Sequence, residues 1–504
     1  MFYYHKNGKF LYSSDIKTLL TDPAVRPQID TNGIAELILL GPGRTPDRTV
    51  FKDIKQLPPA TRGHYDPATD KLVLQKYWSL TDKEHTDTFE QTKEKVRELV
   101  VGSIERMLTS ESRPTPTPDT ALRAQGNSIL TSQANIPLRG RGRGGATFKN
   151  ATICTFLSGG LDSSIISAIA QQYLAKQGKK LETFSVDYVD NEKHFSSSKF
   201  QPNSDNAYIE EMSAFLGAKH HRILLDTDDL IDALYEAVDA RGFPGMADID
   251  VSLLLFCRKV KEEYGIDMAL SGEGADEIFG GYPWFRDETI RNKQGFPWSG
   301  SVEFRRSFLK DEFADAIDCN YVQKRYQSAI ADTHILPSAS PLERRMKEMT
   351  NLNLTWFGQT LLERKYCMST TAGLTVGLPF CDHRLVEYLY TVPWEFKDYK
   401  GREKGLLREA MAGLLPDTVL WRKKSPYPKT HNPAYLKAVS ERMRDVISGP
   451  NAPLLQIVKK DALENLLKIQ NPTPWYGQLM TTPQTIAYFL QINYWLEKYK
   501  VEIV

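Results

Sequence analysis

A run of apolar residues, Ile153 to Leu157, passes without a break into the small-residue turn Ser158 to Ser163 and then into an apolar helical pattern, Ser164 to Leu174. This junction restricts the architecture more than any other segment. A buried strand that turns at once into a helix is half of a parallel βαβ unit, because parallel neighbours need a crossover and a helix supplies it. The alternation continues through strand-like Thr183 to Val186, helical Ala207 to Leu216, strand-like His221 to Leu225, helical Leu253 to Glu263 and strand-like Met268 to Leu270. Such a series predicts an α/β fold, a doubly wound parallel sheet with helices on both faces. From about Arg305 the periodicity is mostly helical and predicts elements that pack around that sheet and close one side of a site.

The residues ahead of this block read differently. Phe2 to His5, Asn7–Gly8 and Phe10 to Tyr12 predict a hairpin, Arg62 to Tyr65 and Leu72 to Trp78 a further strand pair. Ser14 and Thr31 are placed to cap helices running to Leu20 and Leu40. This is the pattern of a piece of an α+β domain. A helix from about Asp87 to Leu108, with Phe89, Val96, Leu99, Ile104 and Leu108 on one face, introduces the second block. Ser110 to Lys149 then carries alternate prolines, Pro114, Pro116 and Pro118, and ends in the arginine–glycine tract Arg139 to Gly145. It has few residues able to build a core and is expected to be a disordered insertion, solvated rather than an RNA-binding segment.

At 504 residues the chain exceeds what one core usually supports, so at least two domains are expected. Lys and Arg number 64 against 63 Asp and Glu, a formal net charge of +1, which removes the global electrostatic case for nucleic acid as a partner. Cys154, Cys257, Cys319, Cys367 and Cys381 show no metal-ligand or CxxC spacing, which suits a reducing cytoplasm. No run of about 18 apolar residues occurs, so no membrane segment is expected.

Two turns carry chemistry. In Ser158–Gly159–Gly160–Leu161–Asp162–Ser163–Ser164, at the strand-to-helix junction, backbone N–H groups and the helix dipole favour phosphate. Gly159 and Gly160 let the backbone come close, the serines offer hydroxyls, and Asp162 can hold Mg²⁺ against phosphate oxygens. The turn is not a Walker A loop. The second, Leu270–Ser271–Gly272–Glu273–Gly274–Ala275–Asp276–Glu277–Ile278–Phe279–Gly280–Gly281–Tyr282, crowds three carboxylates and four glycines after a short strand. Carboxylates so close repel unless a cation or a reacting amine lies among them. The plainer alternative is an acidic helix start with a glycine stop.

The first turn resembles the pyrophosphate loop of the N-type ATP pyrophosphatases (adenine nucleotide α-hydrolase-like), and the second resembles the other signature of the glutamine-dependent (class B) asparagine synthetases. The resemblance continues through Phe184 to Asp187, Gln201 to Asn206, Leu378 to Arg384, Lys404 to Glu409 and Arg422 to Tyr427. Leu11 to Lys17 and Lys76 to Ser79 look like the later part of that family's N-terminal-nucleophile glutaminase domain. The resemblance implies two units, a partial glutaminase domain over 1–82 and a synthetase domain over 83–504 with the insertion at 110–149. It implies a ligase that takes aspartate, ATP and ammonia as substrates with Mg²⁺, works as a cytoplasmic homodimer, and forms β-aspartyl-AMP on the way to asparagine, AMP and pyrophosphate. Ser158, Gly159, Gly160 and Ser163 would then hold phosphate, and Leu157, Val186, Ser271 and Gly272 would surround the adenosine. Asp162 and Asp276 would bind the metal, Lys404 would stabilise charge at the reacting phosphate, and Glu273 would take a proton from ammonia.

Departures from the family pattern set further expectations. Members that hydrolyse glutamine carry an N-terminal cysteine nucleophile. Residue 2 is Phe2 here, so the glutaminase domain is expected to lack its catalytic first half, and ammonia, or a separate glutaminase chain, to supply nitrogen. Where the family reads Glu-Val-Arg, this chain has Thr375–Val376–Gly377, which removes an acid and a base expected near the aspartate pocket. The rivals are a synthetase of the β-lactam or peptide-cyclase kind that activates another carboxylate, and a non-catalytic remnant.

Overall fold

In the computed structural model, which describes residues 1–109, 152–194, 205–425, 427–469 and 474–504, the apolar run at Ile153 is the middle strand of a five-stranded sheet. The expected insertion at 110–149, Gln201 to Ser204 and Pro426 lie outside the described residues. The strands are β1 (Ile153–Phe156), β2 (Glu182–Tyr188), β3 (Lys219–Leu225), β4 (Met268–Leu270) and β5 (Thr375–Gly377), in the order β5-β4-β1-β2-β3, and every pair is parallel. The chain starts at the centre, steps outward to β3, then crosses β1 to place β4 and β5 on its other side.

Both faces are covered, as parallel sheets require. Met268 and Leu270 share one apolar cluster with α1 (Phe89–Leu108), α2 (Leu161–Ala175) and α3 (Asn206–Leu216) through Val100, Ile165 and Met212. Cys154, Phe156, Phe184 and Ala269 share the other with α4 (Asp248–Tyr264) and α5 (Gly358–Thr371). Phe156 packs on Phe256 of α4, ring centroids 4.7 Å apart. A reversal of strand order leaves a crevice at the carboxyl ends of the two central strands, where α/β sheets bind ligands. The turns after β1 and β4 are the two signature segments.

The N-terminal hairpin forms as read, Phe2–Lys6 against Lys9–Ser13, with Asn7 and Gly8 both at positive φ in the turn that suits strand twist. The second pair is Thr61–Asp66 with Lys71–Lys76. Other boundaries are corrected. Asp15 and Asp30, not Ser14 and Thr31, cap the early helices, because each carboxylate accepts from a first-turn N–H. The helix after β1 begins at Leu161 rather than Ser164, since Asp162 and Ser163 already form its first turn. β5 arises inside the stretch read as helical, its three residues too few to show a strand period. Gln28–Ile29 pairs in parallel with Glu502–Ile503, a partnership between the two ends of the chain that no local pattern announces.

Residues 1–56 share one core with the rest. Phe2 meets Phe243 and Phe51 meets Trp495, with ring centroids 6.0 and 5.2 Å apart. Beneath them runs a chain of buried charges: Arg44 to Glu363 at 2.5 Å, Glu363 to Arg241 at 2.9 Å, Arg241 to Asp250 at 3.1 Å and Asp250 to Arg364 at 3.3 Å. It fixes α4 and α5 against the N-terminal block. Among the described residues no helix is long and apolar enough to cross a membrane.

Candidate active site

The crevice between the two signature turns holds a cavity of about 290 Å³. Leu157, Ser158, Gly160, Asp162, Ser163, Val186, Ser271, Gly272, Glu273, Asp276 and Lys404 all line it. Gly159 does not. It stands against Tyr208 and Ile209 of α3, and its carbonyl accepts from Arg422 Nη1 at 2.9 Å, so it shapes the turn from below rather than facing the cavity.

The first turn is braced by its own hydroxyls. Ser163 Oγ accepts from the Ser158 N–H at 3.1 Å and lies 3.0 Å from Ser158 Oγ. Gly160 caps α2 without a side chain, which leaves the N–H groups of the first helical turn open toward the cleft, the arrangement that binds anions.

Between the turns sits a compact set of charges. Lys404 Nζ lies 2.5 Å from Asp162 Oδ2 and 2.6 Å from Asp276 Oδ1, and Lys424 Nζ lies 2.6 Å from Asp276 Oδ2. The approach depends on Gly281, where a Cβ would fall 1.9 Å from Asp276 Oδ1 and 2.3 Å from Lys404 Cε. Burial alone would depress the Lys404 ammonium, but Asp162 and Asp276 outweigh it and hold its pKa above the usual lysine value. Burial likewise works against the Asp276 carboxylate, and Lys404 with Lys424 overrides it and holds its pKa well below the usual range. Asp162 shifts up, because burial and the facing Asp276 exceed what Lys404 returns. Its Oδ1 is buried with no hydrogen-bond partner among the described residues.

Glu273 lies on the other side of the second turn. Burial would raise its carboxyl, yet the nearby Lys365 ammonium keeps its pKa below the usual value. Glu277, the third acid, also lines the cleft; burial and Asp276 push it up to about 7, and Tyr282 Oη donates to it at 2.7 Å. One short turn thus holds three carboxylates in three protonation environments.

The sequence reading assigns no role to Lys365, Lys424 or Arg422, all of which line the cleft. Arg422 and Lys424 fall in a matched segment, a faint signal; Lys365 sits mid-helix and gives none. Thr375 and Gly377, expected at the aspartate pocket, stand outside the cavity lining. A Cβ at Gly377 would meet Leu270 Cδ2 and Met268 Cε at 2.8 Å, so a larger residue on β5 would have to displace these side-chain ends. The cation beside the acid comes from α5 instead.

Comparison with known proteins gives two matched regions. The asparagine synthase family matches residues 146–497, and the glutamine amidotransferase domain family matches residues 1–78. Asparagine synthetase [glutamine-hydrolyzing] 3 of Bacillus subtilis is 40% identical over 508 residues, covering 100% of this chain and 75% of the relative. Asparagine synthetase B [glutamine-hydrolyzing] of Escherichia coli is 32% identical over 205 residues, 36% of each chain. Asparagine synthetase [glutamine-hydrolyzing] 3 of Arabidopsis thaliana is 33% identical over 187 residues, 31% of this chain and 30% of the relative.

Proposed function

Because this chain belongs to the asparagine synthase family, we propose that it is an ATP-dependent ligase that amidates aspartate through β-aspartyl-AMP, giving asparagine, AMP and pyrophosphate. An oxygen of the aspartate β-carboxylate attacks the α-phosphorus of ATP, and the bond to the pyrophosphate oxygen breaks. Ammonia then attacks the acyl carbon, gives up a proton, and AMP leaves with the carboxylate oxygen it received.

The observation that carries this reading is the placement of Lys404 between Asp162 and Asp276, beside the open N-terminus of α2. The open N–H groups, with Ser158 and Ser163, support a seat for the departing pyrophosphate. Leu157, Val186, Ser271 and Gly272 support the adenosine. Lys404 is placed to hold charge that builds on phosphate, and Glu273, on the acyl side, to accept the proton that ammonia loses. The buried, unpartnered Asp162 Oδ1 and the hard oxygen donors of Asp162 and Asp276 fit Mg²⁺, which takes one or two carboxylates and completes its shell with phosphate. Bound there, the ion neutralises pyrophosphate charge. The sheet order and the phosphate-facing turn support the N-type ATP pyrophosphatase fold.

We read residues 1–82 as a glutaminase-type unit and 83–504 as the synthetase unit. We propose ammonia as the nitrogen donor that reaches the acyl carbon in the synthetase unit. Exposed Tyr12, Val73, Leu74 and Tyr77 support a protein partner on the N-terminal block, a second copy or a separate glutaminase chain. The five free cysteines support a cytoplasmic setting. The test is to supply the purified chain with ATP, Mg²⁺, aspartate and ammonium chloride. Equal amounts of asparagine, AMP and pyrophosphate are expected, and pyrophosphate release is expected to vanish in Asp162→Asn and Asp276→Asn. ADP and phosphate as products, or turnover indifferent to aspartate, would overturn the reading.

A further inference from the structure

A carboxylate taken out of water stays ionised only beside a partner, and the partner of Glu273 comes from outside both signature turns. Lys365, on the inward face of α5 and 3% exposed, places Nζ 2.6 Å from Glu273 Oε1. The same ammonium lies 3.4 Å from Ser271 Oγ and 5.2 Å from the centroid of the Phe156 ring. It is therefore held by the strand end that feeds the first turn and by the backbone segment that opens the second. Ser271 Oγ and the Glu273 N–H also donate to this carboxylate, whose side chain is 21% exposed at the cleft while its Oε2 is shielded from solvent.

A partly buried acid fastened in this way is held in one orientation at the edge of the cleft. We propose that Lys365 is a positioning residue for the amide-forming step: by fastening Glu273 Oε1 it holds the carboxylate in the orientation in which it accepts the proton lost by the incoming ammonia. This rests on the ligase reading above. Lys365 touches no reacting atom in it. Adenylation makes no demand on the pair, because the charges around phosphorus come from Lys404, Lys424 and the two aspartates on the opposite side of the second turn. Without the ammonium the carboxylate would lose its closest charged partner and be freer to rotate.

Two assays on the same preparations of the full chain test this: aspartate-dependent ATP–pyrophosphate exchange, and ammonium-dependent asparagine formation. Lys365→Met is expected to retain exchange within about threefold while asparagine formation falls about 10²-fold, the scale on which misplacing a catalytic group acts. Lys365→Arg, which restores charge and donor, is expected to regain most of the loss, and Lys365→Gln, which restores a shorter, uncharged donor, is not. The double variant Lys365→Met with Glu273→Gln is expected to be no worse than Glu273→Gln alone, since both remove one function. Wild-type asparagine formation in Lys365→Met or Lys365→Gln would overturn the proposal. So would equal loss of both activities in a variant that melts like wild type, or losses that multiply in the double variant. Should Lys365→Met fail to fold, Lys365→Arg and Lys365→Gln decide by the same criteria. Absence of aspartate-dependent exchange in the wild-type chain would instead remove the ligase reading itself.

Discussion

Lys404 holds a left-handed backbone conformation, φ +56°, which an L-residue keeps only where its surroundings determine it. Here Asp162 and Asp276 do so from two different turns, and the strain aims Nζ between them. Lys404→Ala is therefore expected to lose both pyrophosphate exchange and asparagine formation, whereas Glu273→Gln keeps part of the exchange and loses asparagine by ~10²-fold or more. Measured together, equal behaviour of the two variants would refute the division of labour. A second buried acid tests the electrostatics away from the chemistry. Burial pushes Asp248 up from 3.8 to about 6, and Gln484 Nε2 donates to its Oδ2 at 3.3 Å. The folded chain prefers this group protonated, so the contribution of Asp248 to stability is most favourable at low pH and declines as pH rises from about 4 through about 6. Asp248→Asn cannot ionise; its melting temperature is expected to exceed wild type at pH 8, by on the order of 2–3 kcal/mol in stability, with the gap closing at pH 4. A gap of the same size at both pH values would contradict this.

Elements explain which of these residues a reader of the sequence could find. Ser158, Asp162, Ser163, Glu273 and Asp276 lie in two short turns, each following a strand, so local composition and position are enough to single them out. Lys404 needed the motif around it. Lys365 was invisible because its helix is read by its apolar face, and nothing in a helical period says that one lysine on it turns inward. β5 was missed for a related reason: Thr375–Gly377 is recognisable as a strand only by its pairing with Met268–Leu270. In that register the Gly377 position faces the side-chain ends of Leu270 and Met268. Gly377→Arg is expected to lower the melting temperature markedly, a loss of about 1–3 kcal/mol for overpacking, and not to improve aspartate use. An unaltered melt with a lower KM for aspartate would show that the side chain reaches the cleft after all.

The whole molecule is tied together across the boundary that the two family matches suggest. Residues 1–56 contribute to the same core as α4, α5 and the C-terminal helix Thr482–Lys498, the chain ends pair through Gln28–Ile29 and Glu502–Ile503, and Arg241 joins Glu363 to Asp250 without exposure. A single cooperative transition is expected in calorimetry, and Arg241→Met, which removes the shared cation and leaves Glu363 to Arg44 and Asp250 to Arg364 alone, is expected to cost about 3 kcal/mol, the low end for breaking a buried pair. Two separated transitions, or an unchanged melt in that variant, would show the blocks to be independent. Adenylation of aspartate in the crevice between β1 and β4 is the step on which the proposed function stands. It is tested by turnover with aspartate carrying ¹⁸O in the β-carboxylate, ATP and ammonium, followed by mass analysis of the phosphorus products. Adenylation puts one labelled oxygen in AMP and none in pyrophosphate; label in inorganic phosphate alongside ADP, or AMP without label, would rule it out.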